Sequence, residues 1–168
     1  TPAHCITNLG VQYNSNLTGQ EDIQKVCEQL KRDLKLVQGS AATADSKIAA
    51  AQRSIFYQHL YYCKFLSVHL HEYYEIDKIY NEFYKKVTRN MPSFPNKLLY
   101  IPIKDGGLGL QSFSDAIQRE KWGMLRNLRY GNDTGKMVAE QLIERALQHN
   151  KRPFWATSLI EWASFADL

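Results

Sequence analysis

Several things are scarce or missing in this 168-residue chain, and each absence narrows what it can be. No apolar run approaches the ~20 residues a membrane-spanning helix needs, so a soluble protein with no membrane partner is expected. No basic segment followed by an apolar stretch opens the sequence, so no signal peptide is expected. The start at Thr1-Pro2-Ala3, without methionine, suggests a fragment or a processed product. Only three cysteines occur, Cys5, Cys27 and Cys63, far apart and without a Cys-x-x-Cys pair. An odd, scattered set supports neither a disulfide framework nor a zinc finger and points to free thiols in a reducing, intracellular compartment. Acidic residues are missing from one long stretch: from Phe83 to Lys104 there are Lys85, Lys86, Arg89, Lys97 and Lys104 and no aspartate or glutamate. That stretch alone carries more positive charge than the whole chain, whose net charge is +4.

What is present is enough for a core. The chain is 44% hydrophobic and 12% aromatic, which suits one ordinary domain or two small ones. Apolar residues recur with helical period through most of it. Ile23, Val26, Cys27, Leu30 and Leu34 form one stripe of a helix expected over residues 19–37, with Gly39 as its stop. A long helix is expected over 45–69, capped by Asp45 or Ser46. Its rings Phe56, Tyr57, Tyr61, Tyr62 and Phe65 form a girdle too wide for one face. A third helix over 73–88 carries Ile76, Ile79, Tyr80, Phe83 and Val87 and cannot pass Pro92 and Pro95. Ser112 or Ser114 caps a fourth, ending near Tyr130, with Ile117, Lys121, Met124, Leu125 and Leu128 on its buried side. A fifth is expected over 134–148, and Pro153 starts a short last one bearing Trp155, Leu159, Ile160 and Trp162. The fold class is therefore mainly α.

Two places read as β. Residues 6–13 suit one strand with no partner in the first half of the chain, as if left from an upstream domain. Residues 98–110, Leu-Leu-Tyr-Ile-Pro-Ile-Lys-Asp-Gly-Gly-Leu-Gly-Leu, set two apolar arms around an Asp-Gly pair, which predicts a short β-hairpin or strand–turn–strand. The expected organisation is a strand at 1–17, a helical bundle at 18–91, a Pro/Gly connector with the β turn at 92–111, and a second helical part at 112–168.

Catalytic chemistry finds little support. The glycines Gly106, Gly107 and Gly109 lack the spacing and flanking residues of dinucleotide or P-loop patterns. No nucleophile elbow or kinase set is present, and no pair of carboxylates is placed to hold Mg²⁺. Asp105 reads as a turn aspartate bonding the following amides. Cys63, His69, His71 and Glu72 are the one metal-like cluster, but residues two apart on a helix point away from each other, so helix-end histidines are the simpler reading and no metal site is expected. The basic stretch is the stronger signal. A helix-end macrodipole accounts for Lys85, Lys86 and Arg89, but not for Lys97 and Lys104 nor for the missing acids. Lysines and arginines so placed suit phosphates of a nucleic-acid backbone.

Residues 100–110 also resemble a known segment. Tyr100-Ile101-Pro102-Ile103-Lys104-Asp105-Gly106-Gly107-Leu108-Gly109-Leu110 is similar to the region after the thumb in reverse transcriptases of non-LTR retrotransposons. Asn8-Leu9-Gly10-Val11 resembles that family's palm-closing strand, with Asn8 where an aromatic is usual. Asp45-Ser46-Lys47-Ile48 resembles the start of its long helix, and Ile76-Asp77-Lys78-Ile79 the helix before its basic stretch. The resemblance covers roughly residues 6–130, in order, and leaves 131–168 unplaced.

It implies a thumb and the start of a linker that grip a template–primer duplex (RNA–DNA or DNA, with template RNA) beside missing palm and fingers domains. Lys47, Arg53, Lys85, Lys86, Arg89, Lys97 and Lys104 would meet phosphates, and Asp105, Gly106, Gly107 and Gly109 would shape the turn. No cofactor and no catalytic residue is expected within the chain. Mg²⁺ would belong to the missing palm, so the fragment would be inactive alone. A nuclear location follows if the chain derives from a retroelement. The alternative is a helical protein-interaction domain, a domesticated retroelement remnant, in which the basic patch is incidental.

Overall fold

The computed structural model describes residues 6–8, 11–13, 20–64, 66 and 70–148, with side chains over 23–64, 66 and 71–141. It is mainly helical. Near the start of the chain β1 (Ile6–Asn8) pairs antiparallel with β2 (Val11–Tyr13), Ile6 opposite Tyr13 and Asn8 opposite Val11. The expected single, unpartnered strand is thus corrected to a small two-stranded pairing.

Helix α1 (Gln20–Gly39) buries Ile23, Val26, Leu30 and Leu34, the stripe its periodicity requires. The next helical stretch is continuous from Ala44 to Cys63 but not uniform. It begins as α2 (Ala44–Ala50), widens into a π-helical turn (Ala51–Ile55) and ends as α3 (Phe56–Cys63). Its cap is Thr43, whose hydroxyl accepts from Ser46 N at 3.3 Å, and not Asp45 or Ser46. The wide turn lets Ala51, Ile55 and Phe56 all face inward before Leu60 and Cys63 continue the buried side. Helix α4 (Leu70–Val87) lies at the centre and buries Tyr73, Ile76, Tyr80, Phe83 and Tyr84. His59 Nε2 meets Asp33 Oδ2 at 3.2 Å and ties α3 to α1, while the Gln52 amide donates to the Tyr84 hydroxyl and ties the π turn to α4. Burial pulls the His59 imidazole below its ordinary value against the pull of Asp33.

The expected hairpin at 98–110 is not formed. Pro95 launches a short helix, α5 (Asn96–Tyr100), which buries Leu99 and leaves Leu98 outward. Ile101 and Pro102 are extended, and Ile103–Asp105 form a 3₁₀ turn. The chain does reverse, with Leu108 N, Gly109 N and Leu110 N donating to the carbonyls of Leu98, Ile101 and Leu99 at 3.1, 2.8 and 2.9 Å. The first arm fails as a strand because Pro102 contributes no N–H and Leu98–Tyr100 are already in a helical turn.

Helix α6 (Phe113–Arg129) is capped by Ser112, whose hydroxyl accepts from Asp115 N at 3.3 Å. Phe113, Ala116 and Ile117, assigned by sequence to a separate helical part, are buried in the same core as α1, α3 and α4. Phe113 packs against Phe56 at 5.3 Å, Tyr80 at 6.1 Å and Tyr73 at 6.4 Å between ring centroids. Burying such a ring contributes roughly 1.5–3 kcal/mol, so this cluster fastens α6 to the bundle. Farther along, Leu125 and Trp122 meet Ala139 of α7 (Asp133–Gln148) in a smaller cluster. The helix expected after Pro153 lies outside the described residues. No described helix is long and apolar enough to cross a membrane.

Candidate functional site

The basic stretch begins in the last turn of α4, where Lys85 and Lys86 sit, and α4 ends in a Schellman arrangement. Asn90 N donates to the Lys85 carbonyl at 2.8 Å and Arg89 N to the Lys86 carbonyl at 3.3 Å. That geometry needs a left-handed residue after the cap, usually glycine. Here it is Arg89, at φ 56°, the one non-glycine residue with positive φ among those described. A side chain in that region costs on the order of 1–2 kcal/mol.

Lys85 Nζ donates to the Pro92 carbonyl at 2.8 Å, which folds the loop back along α4. Lys85 and Lys86 line one cleft with Lys78, Asn81, Glu82, Asn90 and Asn96, and Arg89 and Lys97 adjoin that lining in sequence. Lys86, Arg89 and Lys97 are exposed. Lys47 reaches the same end of the bundle, its Nζ donating to the Gln38 carbonyl at 2.8 Å, and Gln38 and Lys86 line one groove between α1 and α4. Lys47 and Lys85 thus spend their ammonium groups on backbone carbonyls. Arg53 stands exposed on the π turn. Lys104 and Asp105 are exposed on the 3₁₀ turn, and nothing in the contacts groups them with the α4 cluster.

The glycine turn is held, not loose. Gly107 fits because a Cβ there would lie 2.1 Å from the Ile101 carbonyl oxygen. Gly106 and Gly109 take φ of 83° and 62°. Both flanks of the turn are fastened to α4. The Tyr100 hydroxyl donates to Asn81 Oδ1. The buried Asp77 carboxylate accepts from Phe113 N at 2.6 Å, Ser114 N at 3.1 Å and the Ser112 hydroxyl at 3.3 Å. It caps α6 from a neighbouring helix, while burial pushes its carboxyl up against the pull of those donors.

Sequence reasoning missed Asp77 and Asn81 as the groups that position the connector. Both lie among apolar residues of α4, and that placement was the available signal. It also passed over Lys31 and Lys35 of α1, which line the groove with Lys86.

No group of three or more metal-ligating side chains occurs among the described residues. Of the Cys63–His69–His71–Glu72 set, Cys63 is buried, with its thiol pushed up by burial, and His69 lies outside the described residues. A second polar cluster is internal. Lys121 of α6 is buried and donates to the Leu66 carbonyl at 2.7 Å and the Tyr73 hydroxyl at 3.1 Å. Burial lowers its ammonium to about 8. Its partners are those of a structural lysine holding the chain just after α3. No family model, no curated protein and no solved structure matches this chain.

Proposed function

We propose that the chain binds nucleic acid through the basic residues at the end of α4 and the loop leading to α5, a stretch that holds no carboxylate from Phe83 to Lys104 and has Glu82 at its margin. The reading extends to the thumb and linker part of a retroelement RNA-directed DNA polymerase, gripping a template–primer duplex. One observation carries the first statement. Arg89 is kept in a conformation that glycine would occupy without strain, beside exposed Lys86 and Lys97, in a stretch with no carboxylate. Strain retained at a charged residue points to a use for the charge. The four motifs in order support the retroelement assignment, and the polymerase chemistry, with its Mg²⁺, lies in domains outside this chain.

Binding to an RNA–DNA duplex at several salt concentrations tests the proposal. A phosphate grip makes log K fall linearly with log salt, by roughly one unit per phosphate neutralised. No binding at low salt would refute it. A protein-interaction domain is the second reading, favoured by the groove between α1 and α4. There Cys27, Ile79 and Phe83 form an apolar floor between rims of both signs, Lys31, Lys35 and Lys86 with Glu28, Glu75 and Glu82.

A further inference from the structure

The outer face of the π turn and α3 is not explained by the core or by the α4 cluster. Inward, Ala51, Ile55, Phe56, Leu60 and Cys63 already supply the buried side. Outward, Tyr57 and Tyr61 are 54% and 48% exposed, four residues apart and therefore on one face, with Cβ atoms about 5–6 Å apart. Exposed aromatics scattered singly need no explanation. These two are in register and flanked by cations. Arg53 is exposed one turn before Tyr57, and Lys64 Nζ lies 4.6 Å from the Tyr61 ring centroid. No aspartate or glutamate occurs from Ser46 to His71, so no carboxylate of the same segment opposes an anion here. Arg53, Tyr57 and Tyr61 follow at four-residue intervals from the π turn into α3, while Ile55 and Phe56 stay inside. Such turns are frequent at functional sites.

We propose that Arg53, Tyr57, Tyr61 and Lys64 form a platform for single-stranded nucleic acid, with unpaired bases stacking on the two rings and the flanking cations meeting phosphates. Every base offers a π face, so the platform is sequence-tolerant. An amphipathic helix from a protein partner fits less well, because exposed Ser54 and Gln58 interrupt any apolar seam. The platform goes beyond the duplex grip and is separable from it, because its two tyrosines are no part of that grip.

The test is fluorescence anisotropy of labelled oligo-dT and oligo-rU with the full chain, with inorganic polyphosphate as a probe of charge alone. Tyr57→Leu with Tyr61→Leu should weaken oligonucleotide binding by about tenfold or more. The same pair should leave polyphosphate and RNA–DNA duplex affinity unchanged. Tyr61→Trp, which keeps a stacking face, should bind the oligonucleotides at least as tightly as the parent. Both tyrosines are exposed, so the variants should keep the parent far-UV spectrum. Unchanged oligonucleotide affinity in the double variant would overturn the proposal, as would an equal loss for polyphosphate. Absence of oligonucleotide binding by the parent at low salt would overturn it too and turn attention to a protein partner. Lys86→Glu with Arg89→Glu should weaken duplex binding whatever the tyrosine variants do, so the two readings fail separately.

Discussion

Replacing Arg89 separates its backbone role from its charge. At φ 56° the arginine side chain sits where L residues are strained, and the Schellman bonds from Arg89 N and Asn90 N hold it there. Arg89→Gly removes the strain, worth on the order of 1–2 kcal/mol, less the roughly 0.5–1 kcal/mol of entropy that glycine returns to the unfolded chain. A net gain of about 0.5–1 kcal/mol corresponds to a rise in melting temperature of roughly 1–4 °C for a domain of this size. Arg89→Ala removes the same charge and keeps the strained backbone, so it should gain nothing. Both variants should lose the same share of duplex affinity, because both lose one cation. Urea unfolding of the three proteins, with duplex binding at fixed salt, reads both effects. If Arg89→Gly is no more stable than Arg89→Ala, the strain argument is wrong. If either variant binds as tightly as the parent, Arg89 is not kept for its charge.

Other outcomes follow from the same contacts. Gly107→Ala should cost at least about 2 kcal/mol, because the new methyl group meets the Ile101 backbone and not a movable side chain; a loss under 0.5 kcal/mol in urea unfolding would contradict the packing of the turn. Tyr80→Phe should be neutral or stabilising by up to about 1 kcal/mol, since the buried Tyr80 hydroxyl finds no hydrogen-bond partner among the described residues; a loss above 1 kcal/mol would reveal one. Lys121, lowered from 10.5 to about 8, is charged below that lower value at a cost to the folded state. Between the two values the unfolded chain binds the proton and the folded chain does not, so this group's contribution to stability rises with pH across that window. The stability difference between the parent and Lys121→Met should shift in the parent's favour by on the order of 1–3 kcal/mol from pH 8 to 10.5, and a flat difference would refute the assignment. His59, lowered by burial, acts at the other end: its contribution is intact above about 6.5 and is lost as pH falls, so His59→Gln should flatten the acid limb of the stability profile.

The helices were legible because one apolar stripe per helix is a strong signal. Ile23, Val26, Leu30 and Leu34, then Ile76, Tyr80 and Phe83, are buried as their spacing requires. Lys121 sits on the buried side expected of it, while Met124 is turned outward. The hairpin at 98–110 was misread because an Asp-Gly pair between apolar arms weighs the same on paper with or without prolines. In the folded chain Pro95 and Pro102 outweighed it, one starting a helix and the other denying a ladder bond. The end of α4 was expected at 88, one residue from where it falls, but its left-handed cap was not legible, because that position carries Arg89 and not the glycine that normally marks it. Asp77 shows what periodicity cannot reach. Its importance comes from Ser112, Phe113 and Ser114, more than thirty residues away, and only the packing of α6 on α4 brings them together.

The central claim is that the end of α4 grips a polyanionic duplex, and the salt dependence of that grip tests it most directly. RNA–DNA duplex binding should be measured from low to physiological salt for the parent and for Lys86→Gln with Arg89→Gln. The account predicts a linear fall of log K with log salt for the parent and a slope smaller by about two units for the double variant. A parent that does not bind, or a double variant with an unchanged slope, would contradict it.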